Sequence, residues 1–359
     1  MFEPLDDPLP PEFDAAFRRR VVGRAHQQRR RRLAGGAAAA AVTVIAGAAG
    51  VYGPSVWRAR DIDRVQVAGT EPVATGEPVT FLLLGADTPR DDGVSGVRVD
   101  TILLARLDPS AASLSLLSLP RDLLVTDPAG TPVRINSLAG DLETLVGVVE
   151  HQIGVPVDHV AEVDFRGFAA LVDRIGGVDI RVDQATRDAS TGLYLDELGC
   201  VSLDGDTALA LVRSRKLELL RDDGTWQRDA HADLRRIETQ RVVVTAALVG
   251  LDRLGWTPGE LRDQVEWAVD HLTIDDGLSL DDLVRLGRAA AALDVADVTS
   301  ATLPVVPSPL DQNRLAQDPS SAPAAVAAFV AGEPIPASTP PGVAPPPPVT
   351  GAVTVVAPC

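Results

Sequence analysis

The sequence predicts an α/β fold, a mixed β-sheet covered by helices. Two observations predict it. Short apolar runs bounded by Gly, Pro and Asp loops recur along the chain, as strands do. Longer stretches place their apolar residues at helical spacing and alternate with those runs, while some strands follow one another directly.

The elements follow in order. Val79–Leu84 is an apolar run ending at Gly85, which reads as a buried strand leading into the loop Ala86–Val97. Thr101–Leu107 and Leu114–Leu119 are two further strands, and Asp108-Pro109-Ser110 turns between them as a close antiparallel pair. Ser137–Ile153 carries Leu142, Leu145, Val148, Val149 and Ile153 at near-helical spacing. Val157–Asp164 is a strand, and Phe165–Ile175 a helix stopped by Gly176-Gly177. Val178–Val182 is a strand, and Asp206–Arg215 a short helix. Asp233–Leu251 is a long amphipathic helix with Ile237, Val242, Val243, Ala246, Ala247 and Leu251 on its stripe. Leu278–Ala292 is another helix, Ala301–Val306 a last strand and Ala322–Ala331 a last helix. Pro334–Pro348 is too rich in proline to pack as a core.

The 359 residues carry a formal net charge of -17, unevenly spread. Arg18, Arg19, Arg20, Arg24 and Arg29–Arg32 crowd one stretch without an acid. Ala34–Trp57 follows, about 24 residues without a charge, the length that spans a bilayer as a helix. Basic residues before a span mark the cytoplasmic side, so the block reads as a topology signal rather than a nucleic-acid patch. The expected organisation is a cytoplasmic arm at 1–33, a transmembrane helix at 34–57, a linker at 58–77, an extracytoplasmic domain at 78–332 and a tail at 333–359. The only cysteines, Cys200 and Cys359, both fall outside the membrane in this scheme, where thiols tend to pair. A disulfide tying the tail to the domain is one expectation, and two unpaired cysteines are the other; the sequence does not show that the two come within bonding distance.

Lysine occurs once, at Lys216, so arginine is the default cation and only its clustering is informative. It clusters in Arg98-Val99-Asp100-Thr101, Pro120-Arg121-Asp122, Arg134-Ile135-Asn136, Arg213-Ser214-Arg215-Lys216 and the stretch Asp233–Gln240. The guanidinium fork keeps its charge near neutral pH and matches phosphate oxygens. Asp87 and Asp100 fall at adjacent strand ends, where two carboxylates can share a hard divalent cation such as magnesium. A single Asp in a Gly/Pro loop more commonly makes a turn. Arg236 and Gln240 are four apart and share a helical face near a helix N-terminus, which favours anions. The sequence has no Gly-x-Ser-x-Gly elbow, no P-loop, no dinucleotide fingerprint and no metal-ligand spacing among its five histidines. These absences argue against the commonest hydrolase, nucleotide-binding and zinc chemistries.

Taken in order, Leu82–Asp87, Arg98–Thr101, Ser118–Asp122, Arg134–Asn136, Val163–Phe168, Gly176–Asp179, Leu203–Leu209, Val212–Lys216 and Asp233–Gln240 resemble the LytR-CpsA-Psr family over roughly Val79 to Val249. The resemblance implies an α/β/α sandwich with a hydrophobic tunnel for a polyprenyl chain, carried outside the cell on one transmembrane helix. It implies a magnesium-dependent phosphotransferase that moves a glycopolymer from a polyprenyl diphosphate to peptidoglycan through a phosphodiester. The matching metal positions are Asp87 and Asp100. The matching substrate-binding positions are Arg98, Arg121, Arg213, Arg215, Arg236 and Gln240. The resemblance also implies that Arg121 acts on the reacting phosphate, and Asp122 and Asp233 are candidates to take the acceptor's proton. Asp122 has the alternative task of orienting Arg121. This chain departs from the pattern at Arg134, Arg235, Thr239 and Arg241, and its segment Leu217–Ala232 is longer than typical. The competing expectations are a non-catalytic polyprenyl-phosphate-binding protein and a membrane-anchored regulator; the short N-terminal arm lacks a helix-turn-helix pattern for the latter.

Overall fold

The computed structural model describes residues 61–336 and the short segment Val353–Val355. Residues 68, 71–72, 75, 88–98, 230–231, 256 and 312–313 are not described, nor are the side chains of 232–238, 241, 258–259, 262, 295 and 353–355. The arm, the candidate span, Arg98 and Cys359 all lie outside the described residues. Among the described residues, no helix is long and apolar enough to cross a membrane.

Along the chain run β1 (Asp63–Val65), β2 (Val79–Ala86), β3 (Val99–Asp108) and β4 (Ser113–Leu119), then the hairpin β5 (Leu124–Thr126) and β6 (Pro132–Arg134). Helix α1 (Leu142–Val148) is N-capped by Asp141, whose carboxylate accepts from the Thr144 amide. The single helix expected over Ser137–Ile153 is divided by this cap. A 3₁₀ turn occupies Ile135–Leu138, and a π turn over Val149–Ile153 ends at Gly154, whose φ of 87° is the left-handed stop. Then come β7 (His159–Asp164), α2 (Phe165–Arg174), β8 (Val178–Val182), β9 (Thr186–Asp188), β10 (Leu193–Leu195), β11 (Gly199–Leu203) and α3 (Gly205–Arg213). The hairpin β12 (Glu218–Leu220) and β13 (Trp226–Arg228) precedes α4 (Ala232–Val249) and α5 (Pro258–His271). The chain closes with β14 (Leu272–Asp275), α6 (Leu280–Ala290), β15 (Val298–Thr302), β16 (Val305–Pro307), β17 (Leu315–Gln317), α7 (Ala322–Ala331) and β18 (Val353–Val355). The last body strand, expected as one run, divides around Leu303-Pro304, because proline has no amide to donate to a ladder.

Seven strands form the central sheet in the order β1-β14-β7-β2-β3-β4-β15. It is mixed: β2 pairs β7 in parallel and β3 antiparallel. Alternation sends Leu82, Leu84, Ile102 and Leu104 to one face, where they pack with Leu145 and Val149 of the α1 region and with Phe329 of α7. Leu103, Ala105, Leu116 and Ile274 face the other way, onto Val265 and Ala268 of α5 and Leu286 of α6. The expected three-layer α/β/α arrangement follows from this two-sided burial. Segment 58–77, expected as a linker, contributes β1, which pairs with β14 and is held by Arg64 donating to the Asp275 and Leu278 carbonyls.

A second core gathers α2, α3 and α4 around β8, with Ile175, Ile180, Ala208, Leu211 and Val243 buried. Strands β10-β9-β12-β13 make a four-stranded sheet beside it, and β11-β8-β18 a three-stranded one. Cys200 on β11 is disulfide-bonded. Beyond the proline-rich stretch, Val353–Val355 of the tail adds to the free edge of β8.

Candidate functional site

The site forms where β2, β3 and β4 end together. Gly85 pairs with Thr101 and Ala86 with Val99, so Asp100 is an extra residue in β3, a β-bulge that re-aims its side chain. A Cβ on Gly85 would come within 3.1 Å of the Thr101 Cβ, which is why glycine suits this crossing. Arg121, just beyond β4 and Pro120, donates from Nη1 to Asp100 Oδ1 at 2.5 Å. Arg215 donates from Nη2 to the other oxygen, Oδ2, also at 2.5 Å. One carboxylate thus gathers two arginines that lie 94 positions apart in sequence, from residue 121 to residue 215. Burial pushes the Asp100 carboxyl up, but the hydrogen bond from Arg121 and the charges of Arg215 and Arg121 outweigh it. The group is held below the ordinary 3.8 and stays anionic.

Asp122 lies 3.4 Å from Arg121 Nε and accepts from Arg134 Nη1 at 3.3 Å. Held between two arginines, it orients Arg121 from behind. Asp87 sits exposed at the end of β2, one residue past the Ala86–Val99 pair. Arg213 closes α3, and its guanidinium lies 5.1 Å from the centre of the Phe165 ring. Gln240 is buried in α4 and donates to the Val212 carbonyl, an orphan acceptor at the end of α3. Asp233 and Arg236 lie in the first turns of α4, where only the backbone is described.

Directly below this cluster, between the sheet and α2 and α4, lies an apolar cavity of about 140 Å³. Gly85, Thr101, Phe165, Phe168, Gln240 and Val244 are among its walls. Gly85 and Thr101, the pair beside Asp100, therefore border both the charged cluster and the cavity.

What holds the Arg215 turn is invisible in the linear sequence. Asp188 on β9 is fully buried. Its Oδ2 accepts from Ser214 Oγ at 2.8 Å, the Arg215 amide at 3.0 Å and the Lys216 amide at 2.8 Å. Its Oδ1 accepts from the Ser190 amide and hydroxyl. Burial pushes this carboxyl up, yet the Ser190 hydroxyl, the Lys216 amide and the Ser214 hydroxyl bring it down to about 2. Asp188-Ala189-Ser190 has the look of an ordinary turn in sequence, and only the fold brings it to residues 214–216.

Among the described residues no group of three or more His, Cys, Asp or Glu side chains is placed to hold a metal. Carboxylates at neighbouring strand ends are the donor type that magnesium takes beside waters and phosphate, and Asp100 would exchange an arginine partner to serve as one.

A sequence model of the LytR_cpsA_psr family matches residues 56–322. The chain is 26% identical over 242 residues to the polyisoprenyl-teichoic acid–peptidoglycan teichoic acid transferase TagV of Bacillus subtilis, covering 65% of the chain and 59% of the relative. It is 29% identical over 273 residues to the probable cell wall biosynthesis protein LcpB of Corynebacterium glutamicum, covering 71% of the chain and 61% of the relative. The chain thus spans about three-fifths of each of these relatives. Among solved structures, the LytR-Csp2A-Psr enzyme from Actinomyces oris aligns with a TM-score of 0.61 at 30% identity, over 74% of this chain and 95% of that one. TagT bound to LI-WTA aligns with a TM-score of 0.56 at 21% identity, over 75% of this chain and 99% of that one, a likeness of fold.

Proposed function

The chain belongs to the LytR_cpsA_psr family, and on that premise we propose that it is a phosphotransferase joining a glycopolymer, carried on a polyprenyl diphosphate, to peptidoglycan. The observation that carries this is the junction at Gly85 and Thr101. There the ion-paired cluster of Asp100, Arg121 and Arg215 meets an apolar cavity. A diphosphate joined to a long hydrocarbon has those two halves.

In this reading the polyprenyl chain lies in the cavity between the sheet and α4. The diphosphate sits above Gly85, facing Arg121 and Arg215, with Arg213 steadied on Phe165. Arg98 and Arg236 are assigned to the same anion by resemblance, and Gln240 holds the α3 end that presents Arg213. An acceptor sugar hydroxyl attacks the phosphorus that bears the glycopolymer. A new P–O bond forms to the acceptor, and the bond to the polyprenyl phosphate breaks. The arginines stabilise the charge that builds on the leaving phosphate. The hydroxyl proton passes to a carboxylate. Asp233 is the candidate we favour, because Asp122 is engaged by Arg121 and Arg134. Asp87 and Asp100 would hold Mg²⁺, which when bound supplies further neutralisation of the diphosphate oxygens. The cell membrane is the expected location, through 34–57, with the described domain outside.

The test is transfer by the purified full chain. It is given a lipid-linked glycopolymer and peptidoglycan, with magnesium, after chelation, and after magnesium is restored. The proposal expects polymer-bearing peptidoglycan and free polyprenyl phosphate in equal amounts, lost with chelator and regained with magnesium. Donor binding with no transfer in any arm would instead support a non-catalytic polyprenyl-phosphate-binding protein.

A further inference from the structure

The hairpin β12–β13 falls within Leu217–Ala232, the segment expected from the sequence to exceed the family's usual length, and it builds a surface that the phosphate chemistry does not use. Tyr194 of β10 pairs with Arg187 of β9, Arg187 with Glu218 of β12, and Glu218 with Arg228 of β13. These four residues form one row across the sheet, and Trp226, paired with Leu220, stands on the same face one step along. The Trp226 and Tyr194 ring centres are 6.1 Å apart. The Arg187 guanidinium lies 4.4 Å from the centre of the Trp226 ring, and its Nε donates to Glu218 at 2.6 Å. Tyr194 is 58% exposed although only 4% of the chain is aromatic. On β9, β10 and β12 the opposite face of the same sheet is buried, and it carries Asp188, which holds the Arg215 turn.

We propose that this face binds the glycan backbone of the peptidoglycan acceptor. The inference rests on the transferase reading for its choice of ligand. A pyranose ring has a C–H face that stacks on an aromatic ring and a rim of hydroxyls that needs paired donors and acceptors. Tyr194 and Trp226 offer the first, and Arg187 with Glu218 the second. Glu218 stands between Arg187 and Arg228 and is ion-paired with Arg187, so the row offers both donors and an acceptor to a sugar's hydroxyls. The platform is the outer face of the same small sheet whose inner residue Asp188 holds the Arg215 turn, so a glycan bound there is anchored to the element that presents Arg215.

The experiment is calorimetric titration of the full chain with N-acetylglucosamine–N-acetylmuramic acid oligosaccharides whose lactyl carboxyls are capped as amides, as the stem peptide caps them, beside a titration with polyprenyl phosphate. Tyr194→Ala and Trp226→Ala are each expected to weaken the oligosaccharide by roughly five- to tenfold, the usual worth of one aromatic contact. Trp226→Phe should recover most of the loss, and polyprenyl phosphate should bind all variants alike. Equal oligosaccharide affinity in wild type and both alanine variants overturns the proposal, even where transfer proceeds. So does a loss confined to polyprenyl phosphate. Oligosaccharide binding that depends on Trp226 in a chain that transfers nothing supports the platform while the transferase reading fails.

Discussion

Replacing Asp188 with asparagine tests how the fold presents Arg215. The carboxylate receives two hydrogen bonds at Oδ1, from the Ser190 amide and hydroxyl, and three at Oδ2, from Ser214, Arg215 and Lys216. Asparagine has one acceptor oxygen, so its amide nitrogen must face one of those donor sets. Either the Arg215 and Lys216 amides or the Ser190 pair then lose their partner, at about 1–3 kcal/mol for each donor left buried and unpaired. The depression of the carboxyl from 3.8 to about 2 gives a second measure. At about 1.4 kcal/mol per pH unit, it is worth roughly 2 kcal/mol at neutral pH. A folded-state value below the unfolded one means that this stability is fully present above about pH 4 and is lost as the pH falls towards 2. Urea unfolding of wild type and Asp188→Asn at a series of pH values should therefore show a gap of roughly 2–4 kcal/mol at pH 7 that narrows below pH 4. Subtracting the variant removes the acid response of every other carboxylate. A gap that stays constant down to pH 2, or no gap at pH 7, would refute the reasoning.

Further predictions concern the site and the packing beneath it. Asp100→Ala and Arg121→Ala should each abolish transfer while the circular dichroism spectrum and cooperative unfolding persist; full turnover by either variant removes that residue from the chemistry. Val244→Trp puts an indole into the apolar cavity, and should lower polyprenyl phosphate affinity by more than about tenfold while sparing a phosphate with only a short prenyl tail. Gly205→Ala should destabilise by about 2 kcal/mol or more in thermal unfolding, because its Cβ would collide with the Ala169 carbonyl where α3 crosses α2.

Much of the main sheet was legible because its strands are buried on both faces. Such strands appear in sequence as continuous apolar runs: Val79–Leu84, Thr101–Leu107 and Leu114–Leu119 became β2, β3 and β4 with slightly different ends. Val178–Val182 and Ala322–Ala331 kept their predicted limits. The three-residue strands β9, β10, β12 and β13 are too short to show a period, and their pairing is set by contacts distant in sequence. Helix α5 is hard to see in sequence because Glu260, Asp263, Glu266 and Asp270 break up its apolar stripe, although Thr257-Pro258 with Glu260 forms a capping box. In the site, the pairing of Arg121 and Arg215 on Asp100 was foreshadowed by clustering alone. The partnership of Asp122 with Arg134, the clasp by Asp188 and the turn of Gln240 towards Val212 depend on three-dimensional neighbours that a linear pattern does not encode.

The most direct test of the central claim is a crystal structure of the full chain with a polyprenyl diphosphate-linked sugar and magnesium. The account predicts hydrocarbon density between Phe165 and Val244, ending in a diphosphate that touches Arg121 and Arg215 beside Asp100. A lipid bound elsewhere, or a diphosphate out of reach of both arginines, would contradict it.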